Sequence, residues 1–208
     1  MPARVPVFVF AAALLVAGCG SSKSSAPSAG PTSSNSATAS AKTTTSSGPS
    51  ALQAEPNSAA TGDIPDNQVF ISFCDTAAAY SMKYPEGWAQ QGTGARVTFR
   101  DKNNIVRVVV RLGAPPTAGS VRADLRRLTG AHIQSGPLPL KINGAPAFKV
   151  VYTTASAPNA VTGKRVTLLV DRYYFSHAGK EAIVDLGTPV GVDNVDAYRL
   201  MIESFRWR

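Results

Sequence analysis

Histidine and cysteine are almost missing from this chain of 208 residues, with two of each, and that scarcity removes whole classes of chemistry. His132 and His177 stand apart, neither lies in an HExxH pattern, and no CxxC occurs, so a zinc site of histidine and cysteine lacks its ligands. A Ser-His-Asp triad could draw only on those two histidines, and no G-x-S-x-G elbow presents a serine to them. Phosphate-binding loops are missing as well. Gly163-Lys164 is followed by Arg165 and has Pro158 five positions before Gly163, and Gly92-Thr93-Gly94 lacks a third glycine. Only acid-base work by carboxylates that meet in space stays open. No catalytic, cofactor-binding or metal residue is assigned, and the chain is expected not to be an enzyme.

Long apolar runs are lacking too. The longest, residues 5–17, is broken only by Pro6 and follows a single charge, Arg4. A 13-residue helix covers about 20 Å of a hydrocarbon core roughly 30 Å thick, too little to span it. Charge followed by an apolar stretch is instead the layout of an export signal. Val16-Ala17-Gly18-Cys19 then follows, which resembles the bacterial lipobox. Residues 1–18 are therefore expected to be a lipoprotein signal peptide, with Cys19 acylated as the new N-terminus. The alternative is a plain secretory signal, which would leave an unpaired thiol at a loose end. Two or more fatty chains, at about 0.8 kcal/mol per buried CH₂, would hold the protein on the extracytoplasmic face of the cell membrane.

Residues 20–62 contain no aromatic side chain and consist mostly of Ser, Thr, Ala, Pro and Gly. Such a segment cannot bury enough apolar surface to offset its ordering entropy, so residues 19–63 are read as a lipidated cysteine and a disordered tether. A flexible coil of that length reaches roughly 35 Å. Its Ser/Thr density suits either O-glycosylation or a plain spacer.

Aromatic residues resume at Phe70, and residues 64–208 are long enough for one domain with a real core. They carry eighteen lysines and arginines against eleven aspartates and glutamates, a net of +7. Nucleic acid is a poor counterpart for an exported protein; anionic headgroups or acidic wall polymers are better ones. With Cys19 acylated, Cys74 has no intramolecular partner. It is expected to be buried and inert, the alternatives being intermolecular pairing or a reactive thiol.

Runs rich in Val, Phe, Tyr and Thr predict strands at 68–73, 80–84, 95–101, 105–112, 137–142, 146–154, 165–176 and 181–187. Asn143-Gly144 suits a type I′ hairpin, and residues 101–103 and 177–180 look like further turns. Ser120 is a candidate N-cap for a helix with Val121, Leu125 and Leu128 on one face, stopped by Gly130. Asp193 is a candidate cap for a second helix whose apolar stripe is Val195, Tyr198, Met201, Ile202 and Phe205. Short amphipathic helices against an antiparallel sheet define an α+β fold.

The stretch Tyr80-Ser81-Met82-Lys83-Tyr84-Pro85-Glu86-Gly87-Trp88 resembles the strand and turn near the start of Mog1/PsbP-like domains. A Val-rich strand, a helix, an Ile-Asn-Gly hairpin and a last helix ending Ile202-Glu203-Ser204-Phe205-Arg206-Trp207 follow in the same order. The layout of lipobox, tether and such a domain is similar to actinobacterial lipoproteins of the LpqN/LpqT type. The resemblance implies an α/β/α sandwich in which Tyr84, Pro85 and Trp88 are core and turn residues. It also implies a non-enzymatic module that assists an envelope complex, since PsbP relatives act as accessory factors, Mog1 binds a small GTPase and LpqN-type lipoproteins are associated with envelope lipid traffic. A binder of an apolar envelope lipid is the alternative, and a hydrolase a third. The residues considered for a partner surface are Arg107, Arg111, Arg165 and Arg172.

Overall fold

The computed structural model describes residues 62–159 and 161–208. The signal segment 1–18, Cys19 and residues 20–61 of the tether lie outside the described residues. Among the described residues ten strands and two helices follow one another: β1 Phe70–Asp75, β2 Tyr80–Pro85, β3 Ala89–Thr93, β4 Arg96–Asp101, β5 Asn104–Leu112, α1 Ala118–Leu125, β6 His132–Ile142, β7 Ala145–Ala155, β8 Thr167–His177, β9 Lys180–Pro189, α2 Val195–Ser204 and β10 Arg206–Trp207. The fold is the α+β arrangement expected, antiparallel throughout. Seven strands form one sheet in the order β3-β4-β5-β9-β8-β7-β6, and β1-β2-β10 form a small second sheet.

Strict alternation along β5 explains the layering. Val106, Val108 and Val110 are buried on the inner face, while Ile105, Arg107, Val109 and Arg111 stand on the outer face. Against the inner face pack Tyr80 and Met82 of β2, Tyr198, Met201 and Ile202 of α2, and Phe205, forming the main core. Aromatic contacts knit it together: Tyr84 stacks on Phe99 at 4.0 Å and Tyr80 on Phe205 at 5.4 Å. Trp88 and Pro85 are buried beside the turn at Gly87, as core and turn residues.

The outer face is covered only in part. α1 is eight residues, about 12 Å long, and its buried Val121 and Leu125 sit over Val150, Tyr174 and Ile183. Beyond it, Tyr152, Leu168 and Val170 form a separate apolar group flanked by Ile105, Leu128 and Ala131. Among the described residues no helix lies over that second group, whose Tyr152, Leu168 and Val170 are buried by one another and by these neighbours. α1 is capped by Thr117, not by Ser120. The Thr117 hydroxyl accepts from Ser120 N at 3.1 Å while the Ser120 hydroxyl accepts from Thr117 N at 2.9 Å, so Ser120 is the third residue of a capping box.

Hairpins follow the expected turns. Asn143 and Gly144 have φ of 53° and 81°, and Ala178 and Gly179 have 47° and 74°. Strand β3 lies where no strand is expected from the sequence. Its residues Ala89-Gln90-Gln91-Gly92-Thr93 are all exposed at the sheet edge, so there was no apolar alternation to see. Strand β6 begins at His132, five residues before its expected start, across an irregular register between Ile133 and Leu138. Cys74 is exposed, contrary to the buried reading, because the inward-facing positions around it on the edge strand β1 are Phe73 and Asp75. Gly62, in the segment read as tether, is buried, where Nδ2 of Asn194 donates to its carbonyl at 3.1 Å; Ile64 N donates to Asn194 Oδ1 at 2.8 Å.

Candidate functional site

Three neighbouring strands place three charges in one row on the outer face. Arg107 of β5 lies directly opposite Asp185 of β9, which lies directly opposite Arg172 of β8. Asp185 is buried, and its carboxylate accepts from both arginines: Arg172 Nε at 2.6 Å and Nη2 at 2.9 Å, Arg107 Nε at 2.9 Å and Nη2 at 2.5 Å. Burial alone would raise its pKa, but the hydrogen bonds and charges of Arg172 and Arg107 outweigh that and hold it below the ordinary value. Arg172 loses hydration, yet Asp185 holds its charge more firmly than in water, raising its pKa. The Arg172 guanidinium also lies 5.4 Å from the Tyr152 ring and 5.9 Å from the Tyr174 ring.

Asp124 of α1 ties the helix to this row. Tyr174 Oη donates to Asp124 Oδ2 at 2.8 Å, Arg172 Nη1 lies 3.4 Å from the same oxygen, and Arg111 Nη1 lies 3.5 Å from Oδ1. Arg111 also donates to Glu181 at 2.6 Å. The four arginines considered as a partner surface therefore divide. Arg107 and Arg111 keep side-chain exposures of 43% and 44%, whereas Arg172 has 6% and is a buried structural cation. Arg165 lies before β8 begins and donates to the Ser156 carbonyl at 2.6 Å, clamping the loop after β7. The pairing acids Asp124, Glu181 and Asp185 were not singled out from sequence. The strand order β5-β9-β8 aligns Asp185 and Glu181 with the arginines, and α1 brings Asp124 to them.

Where α1 ends, the uncovered half of the outer face becomes a pocket of about 460 Å³. Its floor is Ile105, Leu168, Val170 and the ring of Tyr152, and Leu128 with Ala131 closes the side toward α1. The β4–β5 hairpin contributes Arg100 and Lys102, and the loop after β7 contributes Ser156, Ala157 and Pro158. Arg107 and Asp185 complete the lining from the charged row. Burial and then Asp185 push the Tyr152 hydroxyl up to about 12, so it stays protonated and can donate a hydrogen bond. Gly187 belongs to the same surface by necessity, since a Cβ there would lie 2.8 Å from Ile105 Cγ2 and 3.2 Å from Val170 Cγ2.

The one acid in this lining is held ionised between two guanidiniums. The Ser156 hydroxyl donates to the Ala157 carbonyl at 2.8 Å and accepts from Val166 N at 3.0 Å, so no base activates it. Among the described residues no three His, Cys, Asp or Glu side chains gather as metal ligands, and no helix is long and apolar enough to cross a membrane.

Fold and site together define an antiparallel α+β sandwich with a cation-rimmed pocket on its half-covered face. Among solved structures, the chain is similar to cyanobacterial PsbP from Synechocystis sp. PCC 6803 (16% identity, TM-score 0.49, covering 71% of this chain and 98% of that one). It is also similar to the Saccharomyces cerevisiae Ran-binding protein Mog1p (10% identity, TM-score 0.41, 67% and 96%). A protein from Bacteroides thetaiotaomicron matches at 15% identity and a TM-score of 0.44 over 66% of this chain and 48% of that one, so this chain spans about half its length. No protein-family model and no curated protein matches the sequence.

Proposed function

We propose that the chain is a lipoprotein anchored through Cys19 on the extracytoplasmic face of the cell membrane, whose domain is a non-enzymatic accessory module of the envelope. It holds a client, an envelope protein or an envelope lipid, through the pocket on the outer face of the seven-stranded sheet. The observation that carries this reading is the pocket itself: about 460 Å³, within the size range of small-ligand sites, with an apolar floor and a polar rim. Its carboxylate, Asp185, and its Ser156 hydroxyl are already committed to neighbours, which favours holding over reacting. The tether would let the pocket sample the space near the membrane while the anchor limits its radius.

Photo-crosslinking in cells tests the reading. A benzophenone side chain replacing Ala157, exposed at the rim, should yield a discrete adduct, and the same probe replacing Lys83, on β2 beneath the other face, should not. Equal yields at the two positions, or none above an unrelated lipoprotein bearing the probe, would count against it.

A further inference from the structure

The pocket's charge and its floor together say what kind of group it takes. Arg100 and Arg107 line it, against one carboxylate, Asp185. That carboxylate is saturated: it accepts four hydrogen bonds, two from Arg172 and two from Arg107. Arg107 uses Nε and Nη2 for Asp185, and its Nη1 has no partner among the described residues. Arg100 lies on β4 directly opposite Ile105 and one diagonal step from Arg107, and it is exposed. Arg107 shares Asp185 with Arg172, and Arg100 forms no ion pair among the described residues, so positive charge is left over at the rim. It stands over an apolar floor that weakens solvent screening, so an anion is drawn to this place.

The floor adds the second requirement. Ile105, Leu128 and Ala131 are half-buried around the buried Tyr152, Leu168 and Val170, and among the described residues no helix or strand covers them. A bare inorganic anion would leave them wet. We propose that the pocket binds an anionic group, phosphate or carboxylate, carried on a small apolar body: Arg100 and Arg107 hold the anion, and the half-buried Ile105 and Leu128 take the body above the buried Leu168 and Val170. This rests on the binding-module reading above and narrows it to one ligand chemistry. The anion can come from a lipid headgroup or from a soluble amphiphile, and the experiment separates them.

The full chain, reconstituted in phosphatidylcholine nanodiscs with labelled Ile, Leu and Val methyl groups, is titrated with hexyl phosphate, hexyl glucoside and inorganic phosphate, with empty nanodiscs as the blank. Saturable shifts at Ile105, Leu168 and Val170 are expected with hexyl phosphate, and binding at least about tenfold weaker with each of the other two, a difference of about 1.4 kcal/mol. Arg100→Glu, which touches no part of the Arg107–Asp185–Arg172 row, should weaken hexyl phosphate by about the same factor and leave the spectrum otherwise folded. Arg107→Ala should weaken it too, and Arg100→Glu keeps the test decisive if that variant unfolds.

Replacing part of the phosphatidylcholine by phosphatidylglycerol assigns the source: the same methyl groups shift without added ligand if the headgroup is the anion, and stay still if a soluble amphiphile is. Equal binding of hexyl glucoside at these methyl groups would overturn the anion assignment while leaving the binding-module reading intact. No shift at these methyl groups with any probe would overturn the inference, and crosslinking from the rim would then decide the broader reading separately.

Discussion

Asp185 illustrates how one residue governs both the stability and the charge of the outer face. It lies between two guanidiniums, one buried and one half exposed. Asp185→Asn would leave Arg172 buried among Tyr152, Tyr174 and the sheet with no close counter-charge except Asp124 at 3.4 Å. Removing one member of a buried pair costs about 3–5 kcal/mol, and urea unfolding of the variant should show a loss in that range. The loss should depend on pH. Because the folded-state pKa of Asp185 lies below its ordinary 3.8, the unfolded chain takes up the proton first as pH falls. Its contribution is whole above about pH 4 and is lost as the pH drops below that toward the folded pKa. The gap between wild type and Asp185→Asn should narrow by about 1.4 kcal/mol per pH unit in that window. A gap that stayed constant from pH 7 to pH 2.5 would contradict this account of the row.

Among the elements, α1 sets how much of the outer face is roofed and where the pocket begins. It is short, its first turn has no acidic residue, and its N-terminus relies on the Thr117–Ser120 capping box. Thr117→Ala should therefore cost about 1 kcal/mol in chemical denaturation, and Thr117→Ser should restore most of it. Fraying of α1 also loosens Asp124 from Tyr174 and Arg172, so the variant should broaden the amide signals of α1 and Asp124 while those of β5 and β9 stay sharp. Strand order matters in the same way. β9 is almost wholly buried and lies between β5 and β8, and this interleaving turns arginines far apart in sequence into neighbours of one carboxylate.

On the scale of the whole molecule, the expected anchor and the exposed thiol give one joint prediction. Cys19→Ala should abolish metabolic labelling by a radioactive fatty acid and leave an uncleaved or soluble precursor. Cys74, exposed on β1, should react with a membrane-impermeant maleimide added to intact spheroplasts of the wild type. A Cys19→Ala chain that still incorporated the fatty acid would remove the anchor from the proposal, and a Cys74 reached only after lysis would place the domain on the other side of the membrane.

The α+β class, the helix at α2 and the hairpins at Asn143-Gly144 and Ala178-Gly179 follow from local rules, because alternation, helical period and turn residues are properties of neighbouring positions. The inward role of Tyr84, Pro85 and Trp88 was instead what the family resemblance implied. Strand β3 escaped because an exposed edge strand needs no apolar face, and Cys74 was misplaced because an apolar run at a sheet edge does not say which side is covered. The pocket could not be read at all. Its floor comes from β5, β7 and β8, its rim from a hairpin and two loops, and its existence from α1 ending before it covers the sheet. The chain's local chemistry thus determined what its elements are and that Arg107 and Arg111 share a strand face; only the tertiary pairing of β5, β9 and β8 decided which arginines are consumed by Asp185 and which still face outward, because charge balance is a property of residues in space and not of their order.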